Sequence, residues 1–243
     1  MSSAMKKVIP LWGIGLVLLA LRYVEKITGF DAGTGLAVPT AARGILIVCV
    51  AAAAVYAVLT GIRKSGEKPT FGEHFAQPEG EKGILTAGSF LLIAGGVLQA
   101  AQSMGDKMMI ASLAAAGFAV LTGFGLLFLT KQMRRGEAEH VAPLLPALFF
   151  HAFWVLSLYL PAGSDPVLAR YWLPILAAAM SAYAFAQLAG FFRKESKIRS
   201  FGIIARLSVM LCVAAAAESG VAGALLFVAN AVTVSTFLAL EKE

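Results

Sequence analysis

A chain of 243 residues with 59% hydrophobic and 14% charged residues and a mean hydropathy of +0.80 is too poor in charge for a soluble domain, where about a quarter of residues are charged. Its net charge of +6 does not point to nucleic acid, because the basic residues sit at the ends of apolar runs rather than on one face with interleaved aromatics. Cys49 and Cys212 both lie inside apolar runs without CxxC spacing, so neither a disulfide framework nor a cysteine metal site is expected.

The apolar residues gather into eight runs of membrane-spanning length. A helix needs about 20 residues to cross the roughly 30 Å hydrocarbon layer, and lipid supplies no partner for backbone groups, so Ala- and Leu-rich runs must be helices. The first run, 8–27, follows Lys6 and Lys7 as a secretory signal would. It shows no Ala-x-Ala site followed by a soluble domain and is expected to be an uncleaved span. The remaining spans are expected at 42–62, 83–102, 108–130, 143–160, 168–192, 202–218 and 221–240. Ser219-Gly220 is a turn signal that separates the last two. The longest connection, 63–82, contains Pro69 and Pro78 and is too short for a domain. The expected fold class is all-α, a polytopic transmembrane helical bundle of about eight spans.

An even number of spans puts both termini on one side. Of the 20 Lys and Arg residues, only Arg22, Lys26, Arg43, Lys107 and Arg170 fall on the other, so the terminal side is expected to be cytoplasmic.

A repeat is visible in the small residues. Cys49, Ala53, Ala57 and Gly61 in the second span match Ala178, Ala182, Ala186 and Gly190 in the sixth, each 129 positions on. Ala42-Arg43 likewise answers to Ala169-Arg170, and Gly83-Ile84 to Gly202-Ile203. Chance can produce such ladders in Ala-rich helices. The favoured expectation is two four-helix halves, 1–130 and 131–243, as parallel repeats about an axis along the membrane normal. Small residues four apart form one stripe on which backbones approach closely, so the second and sixth spans are expected to pack tightly.

Ionisable groups at membrane depth are expensive and each is a functional candidate. His151 lies mid-span among Phe149, Phe150, Phe153 and Trp154. It can relay a proton or bind a solute, or it can be a neutral ring hydrogen-bonded within the bundle. His74 and His140 fall in loops on the terminal side. Arg22, Arg43 and Arg170 lie toward the opposite face with Glu25, Asp31, Asp106, Asp165 and Glu218. They are either clamps for a small anionic or zwitterionic solute or snorkelling groups in rim ion pairs. Gln99, Gln102, Thr122, Gln187 and Asn230 are neutral polar groups at depth that ordinarily tie helices together; Asn230, near the middle of the last span, is a further solute-binding candidate. Pro10, Pro146 and Pro174 either bend helices or begin them, with Pro10 expected in a first turn.

No HExxH, GxSxG, P-loop or GxGxxG pattern is present, and no catalytic, metal-binding or cofactor-binding set is expected. A single embedded histidine cannot supply both axial ligands of a haem, and the last two spans lack a lysine for a retinal Schiff base.

The stretch Gly29-Phe30-Asp31-Ala32-Gly33-Thr34-Gly35-Leu36, followed by Pro39, together with Asp165-Pro166-Val167-Leu168, resembles a group of uncharacterised multi-span bacterial inner-membrane proteins. The resemblance implies a bacterial inner-membrane setting, with both motifs on the extracytoplasmic side. It carries over no catalytic residue.

The function expected first is a small-solute transporter or permease with a site between the two halves, drawing on His151, Arg43, Arg170, Asn230 and Arg22. A non-catalytic membrane anchor or assembly subunit comes second. A lipid-modifying enzyme using His151 and the outer-face acids comes last. The partners expected are the lipid bilayer and a small anionic or zwitterionic solute; no nucleic acid is expected, and the sequence does not specify a protein partner or an oligomeric state.

Overall fold

The computed structural model describes residues 3–31, 36–62, 66–76, 81–104, 109–164, 171–217 and 220–242. Among the described residues there are nine α-helices and one 3₁₀ turn: α1 Ser3–Thr28, α2 Ala41–Ile62, α3 Phe71–His74, α4 Lys82–Ser103, α5 Met109–Arg135, the 3₁₀ turn Ala142–Leu144, α6 Leu145–Ser164, α7 Trp172–Phe191, α8 Ile198–Ala215 and α9 Val221–Leu240. Extended pairing among them is limited to two isolated bridges, Phe30 with Ala37 and Phe75 with Glu241. Every helix except α3 is long and apolar enough to cross a membrane, as fits a multi-pass integral membrane protein.

Helix boundaries depart from the apolar runs where charge can reach water. α5 continues to Arg135, beyond the expected 130, because Lys131, Arg134 and Arg135 in its final turns complement the helix dipole. Gly136, at φ 72°, then closes it, with Glu137 N donating to Gln132 O at 3.0 Å. α8 begins at Ile198, four residues before the expected start, with Arg199 in its first turn. Pro10 is a correction to the first-turn expectation, since it lies inside α1. Pro146 and Pro174 are the ones near helix starts, where a missing N–H is harmless.

The surface is that of a protein solvated by lipid. Ile45, Val48, Val55 and Leu59 of α2, Leu16 of α1, and Ile110, Phe124 and Phe128 of α5 are all exposed. In water a surface this apolar would aggregate. The core lies instead around α8 and α9. α8 packs against α1, α2, α7 and α9, and α9 against α1, α4, α7 and α8. α4, α5, α6, α7 and α9 close a ring, each packed on the next, and α1 stands beside it against α8 and α9.

The two small-residue ladders behave differently. On α2, Ala53, Ala57 and Gly61 are buried, and a Cβ added at Gly61 would lie 2.2 Å from Ile203 Cγ1 of α8. On α7, Ala178 is buried but Ala186 is exposed, so that ladder runs obliquely off the packed face. Both helices pack on α8 rather than closely on each other. In the N-terminal stretch, α1 pairs with α2 and α4 with α5, and the two pairs are joined through α8 and α9.

Candidate functional site

Lys7 Nζ donates to Glu241 O at 3.3 Å, so both ends of the chain meet at one face of the bundle. At the opposite face, the ring of helices stands apart around a cavity of about 630 Å³. Arg22 and Lys26 of α1, Gln99 and Gln102 of α4, Ser112 of α5 and Ser157 of α6 supply its polar wall. Tyr171 stands at the start of α7, and Trp154 of α6, itself buried, closes the inner end. The described residues lining the cavity include two cations and no carboxylate.

Arg22 is held by a buried triad. Its Nη1 bonds Glu25 Oε2, one helical turn away on α1, while Arg43 Nε from α2 donates to Glu25 Oε1 at 2.8 Å. Arg22 and Glu25 are buried and Arg43 is 22% exposed. Arg43 Nη2 also donates to Gly29 O at 3.2 Å, and its guanidinium lies 5.4 Å from the Phe30 ring centre. Glu25 thus bridges the two guanidinium groups. Arg43 therefore fixes the α1–α2 junction, and Arg22 is the member that faces the cavity.

Beneath Trp154 lies a buried polar node, midway along α6, α7 and α9. His151 of α6, Ser181 of α7 and Asn230 of α9 have no exposed surface. His151 Nε2 is 3.1 Å from Ser181 Oγ and 3.0 Å from Asn230 Oδ1, while Nδ1 donates to Ala147 O at 2.7 Å. Asn230 Nδ2 donates to Leu226 O at 2.8 Å. Phe150 and Phe185 flank the imidazole at 4.6 and 4.8 Å between ring centres, and Trp154 lies 6.0 Å above it. Trp154 is itself packed on Phe150 and Phe227.

The terminal face is closed by aromatic rings. The sequence assigned 63–82 to a loop, and His74 with it, yet Phe71, His74 and Phe75 are all buried. Thr70 caps α3 reciprocally with Glu73, Thr70 N donating to Glu73 Oε2 at 2.6 Å. Those bonds to Thr70 hold the Glu73 carboxyl below its ordinary value. Ala76 N donates to Leu240 O at 2.7 Å and Lys242 N to His74 O at 2.9 Å, which staples the segment to the end of α9. Phe75 then sits 5.4–5.7 Å from Phe191, Phe201 and Phe237, and Phe71 stacks on Phe192 at 4.4 Å. His74 stacks on Phe191 at 4.9 Å and lies 3.5 Å from Glu241 Oε1. A second cavity of about 820 Å³ on this face, lined by Glu73, Glu139 and Lys242, ends against Phe71, Phe75 and Phe192.

Of the five candidates, the structure joins His151 to Asn230 and Arg22 to Arg43, as two separate groups. Arg170 lies outside the described residues, as do Asp106, Asp165 and Glu218. Sequence reasoning passed over Lys26 and Tyr171 and assigned Gln99 and Gln102 to helix pairing. The signal for the glutamines was their spacing of three, which puts both on one face of α4. Thr122, by contrast, donates to Phe118 O of its own helix at 2.7 Å.

No family model, curated protein or solved structure matches this chain.

Proposed function

We propose that this protein is a small-solute permease of a bacterial inner membrane, with both termini in the cytoplasm and an outward-facing site for a small anionic or zwitterionic solute. The observation that carries the reading is the cavity itself. It opens opposite the termini, its polar wall includes Arg22 and Lys26, and it stops at Trp154, while the cavity at the terminal end stops against Phe71, Phe75 and Phe192. Its lining divides between α1, α4 and α5 of residues 1–130 and α6, α7 and α9 of residues 131–243. A transporter of two halves would carry its site at that division. The basic residues concentrated on the terminal side support the orientation.

Two parts of the site divide the work. Arg22, offset by Glu25, and Lys26 attract a carboxylate or phosphate group, while Gln99, Gln102, Ser112 and Ser157 offer directional hydrogen bonds. Trp154 presents an apolar floor for the body of the solute. Melting temperatures of the purified protein across a panel of small carboxylates, phosphates and amino acids test the reading. One anionic or zwitterionic class raises the melting temperature by several degrees, since a ligand at about 100 times its Kd adds about 2.7 kcal/mol. Lys26→Gln and Gln99→Leu each diminish that shift. If these solutes stabilise the protein no more than neutral analogues do, the permease reading fails.

A further inference from the structure

We propose that the His151 imidazole is a proton-binding site, with Ser181 and Asn230 as positioning residues, and that it takes up and releases one proton in each transport cycle. The cycle rests on the permease reading; the site rests on counting hydrogens.

Nδ1 faces Ala147 O at 2.7 Å, and a carbonyl only accepts, so Nδ1 must carry a hydrogen. Nε2 faces Asn230 Oδ1 at 3.0 Å, another acceptor. The amide cannot be reversed to help. Its nitrogen already donates to Leu226 O at 2.8 Å, and a flip would set two acceptors face to face there. Ser181 Oγ, 3.1 Å from Nε2, is indifferent, since a hydroxyl donates or accepts. A neutral imidazole has one N–H and leaves a lone pair against a lone pair at either Ala147 O or Asn230 Oδ1. An imidazolium has two and satisfies every contact. The pocket is one hydrogen short until a proton arrives.

The neighbouring elements supply no competing charge. α9 carries no titratable side chain, and those of α5 are Lys131, Arg134 and Arg135 in its final turns. On α7, Tyr183 is exposed. On α8, Arg206 donates to the Gly202 carbonyl of its own helix and the Cys212 thiol lies 3.8 Å from Ala177 O. No described carboxylate bonds to the node, so the hydrogen bonds to Ala147 O and Asn230 Oδ1 are what the imidazolium has to set against the cost of its burial. Trp154 separates the ring from the cavity it lines. When Trp154 moves aside, a hydronium ion in the cavity passes its proton to Nε2 and leaves as water. Loss of that proton in the reverse step breaks the bond to Asn230, and the Ser181 hydroxyl turns to donate to Nε2 instead.

The test is nitrogen NMR of ¹⁵N-histidine-labelled protein in lipid nanodiscs. The His151 signal is assigned by difference from His151→Gln and separated from those of His74 and His140. Both ring nitrogens of His151 are expected to stay protonated to at least about pH 6.5, the ordinary histidine value. Asn230→Leu removes an acceptor and lowers the proton affinity of the ring about tenfold or more, whereas the isosteric Asn230→Asp raises it. A single neutral tautomer from about pH 5 to pH 8, where histidine ordinarily titrates, overturns the proposal, and so does a midpoint that ignores both Asn230 variants. A failed solute screen with the imidazolium present defeats the permease reading and leaves the proton site standing. A neutral ring in a protein that binds solute defeats the proton site alone.

Discussion

The two ends of this bundle are built from the same eight spanning helices, yet the cavity at one end runs in to Trp154 while the cavity at the other stops against the rings of Phe71, Phe75 and Phe192. At the cavity end the charged groups belong to the spans themselves, Arg22 and Glu25 on α1 and Arg43 on α2, and they are fixed by one another. At the terminal end the closure comes largely from a connection. The segment around α3 carries Phe71 and Phe75 into the bundle and is held there by backbone bonds to Leu240 and Lys242. Spans set where the membrane is, while a short polar-looking connection supplies aromatic rings that fill the terminal end.

The largest effect that would break this comparison is at the cavity end. Glu25→Ala leaves two guanidinium groups without their shared carboxylate, and removing one partner of a buried ion pair costs about 3–5 kcal/mol. The exposed pair Arg135–Glu137, at 3.9 Å with side chains 59% and 63% exposed, is the control: Arg135→Ala costs about 0.5 kcal/mol or less. Denaturation of both variants in one detergent separates them, and equal losses would mean that the triad is not buried as described.

At the terminal end Phe75→Ala opens a hole among the rings of Phe71, His74, Phe191, Phe201 and Phe237. It costs about 3 kcal/mol, as large core truncations of Phe do, and it makes proteoliposomes leak to small anions. A variant as stable and as tight as the parent would show that the rings are not the seal.

The smallest effect sharpens how α3 is held. The Glu73 carboxyl is lowered by its bonds to Thr70, so its contribution is fully present above the ordinary carboxylate value. That contribution is lost as pH falls through the lowered one. The protection of the Phe75 and Ala76 amides, taken relative to their intrinsic exchange rates at each pH, should therefore fall on acidification, and Glu73→Gln should remove most of that pH dependence. A Glu73→Gln variant with the parent's pH profile would place the sensitivity elsewhere.

The spans were legible because transfer into lipid is summed over about 20 consecutive residues, and no distant contact is needed to evaluate it. His151 and Asn230 stood out for the same reason, as polar groups in the middle of apolar runs. Their partnership, with Ser181 as its third member, was not legible, because 79 residues separate His151 from Asn230. Arg22 and Glu25 are one turn apart and readable as a pair, but Arg43 joins them only through the α1–α2 approach. His74, Phe71 and Phe75 were hidden by their neighbours, since the surrounding Lys, Glu, Gly and Pro residues lower the mean hydropathy of the segment to that of a solvent-exposed loop.

Composition and run length by themselves therefore determined the solvent, the helical class and the positions of the crossings, each a local property of the chain's transfer free energy. Which small-residue ladder would be buried, which glutamines would face a cavity and which loop would close the bundle were decided only by tertiary packing. Those outcomes depend on how side chains from helices far apart in sequence compete for the same volume and the same hydrogen bonds, and no window along the chain contains both competitors.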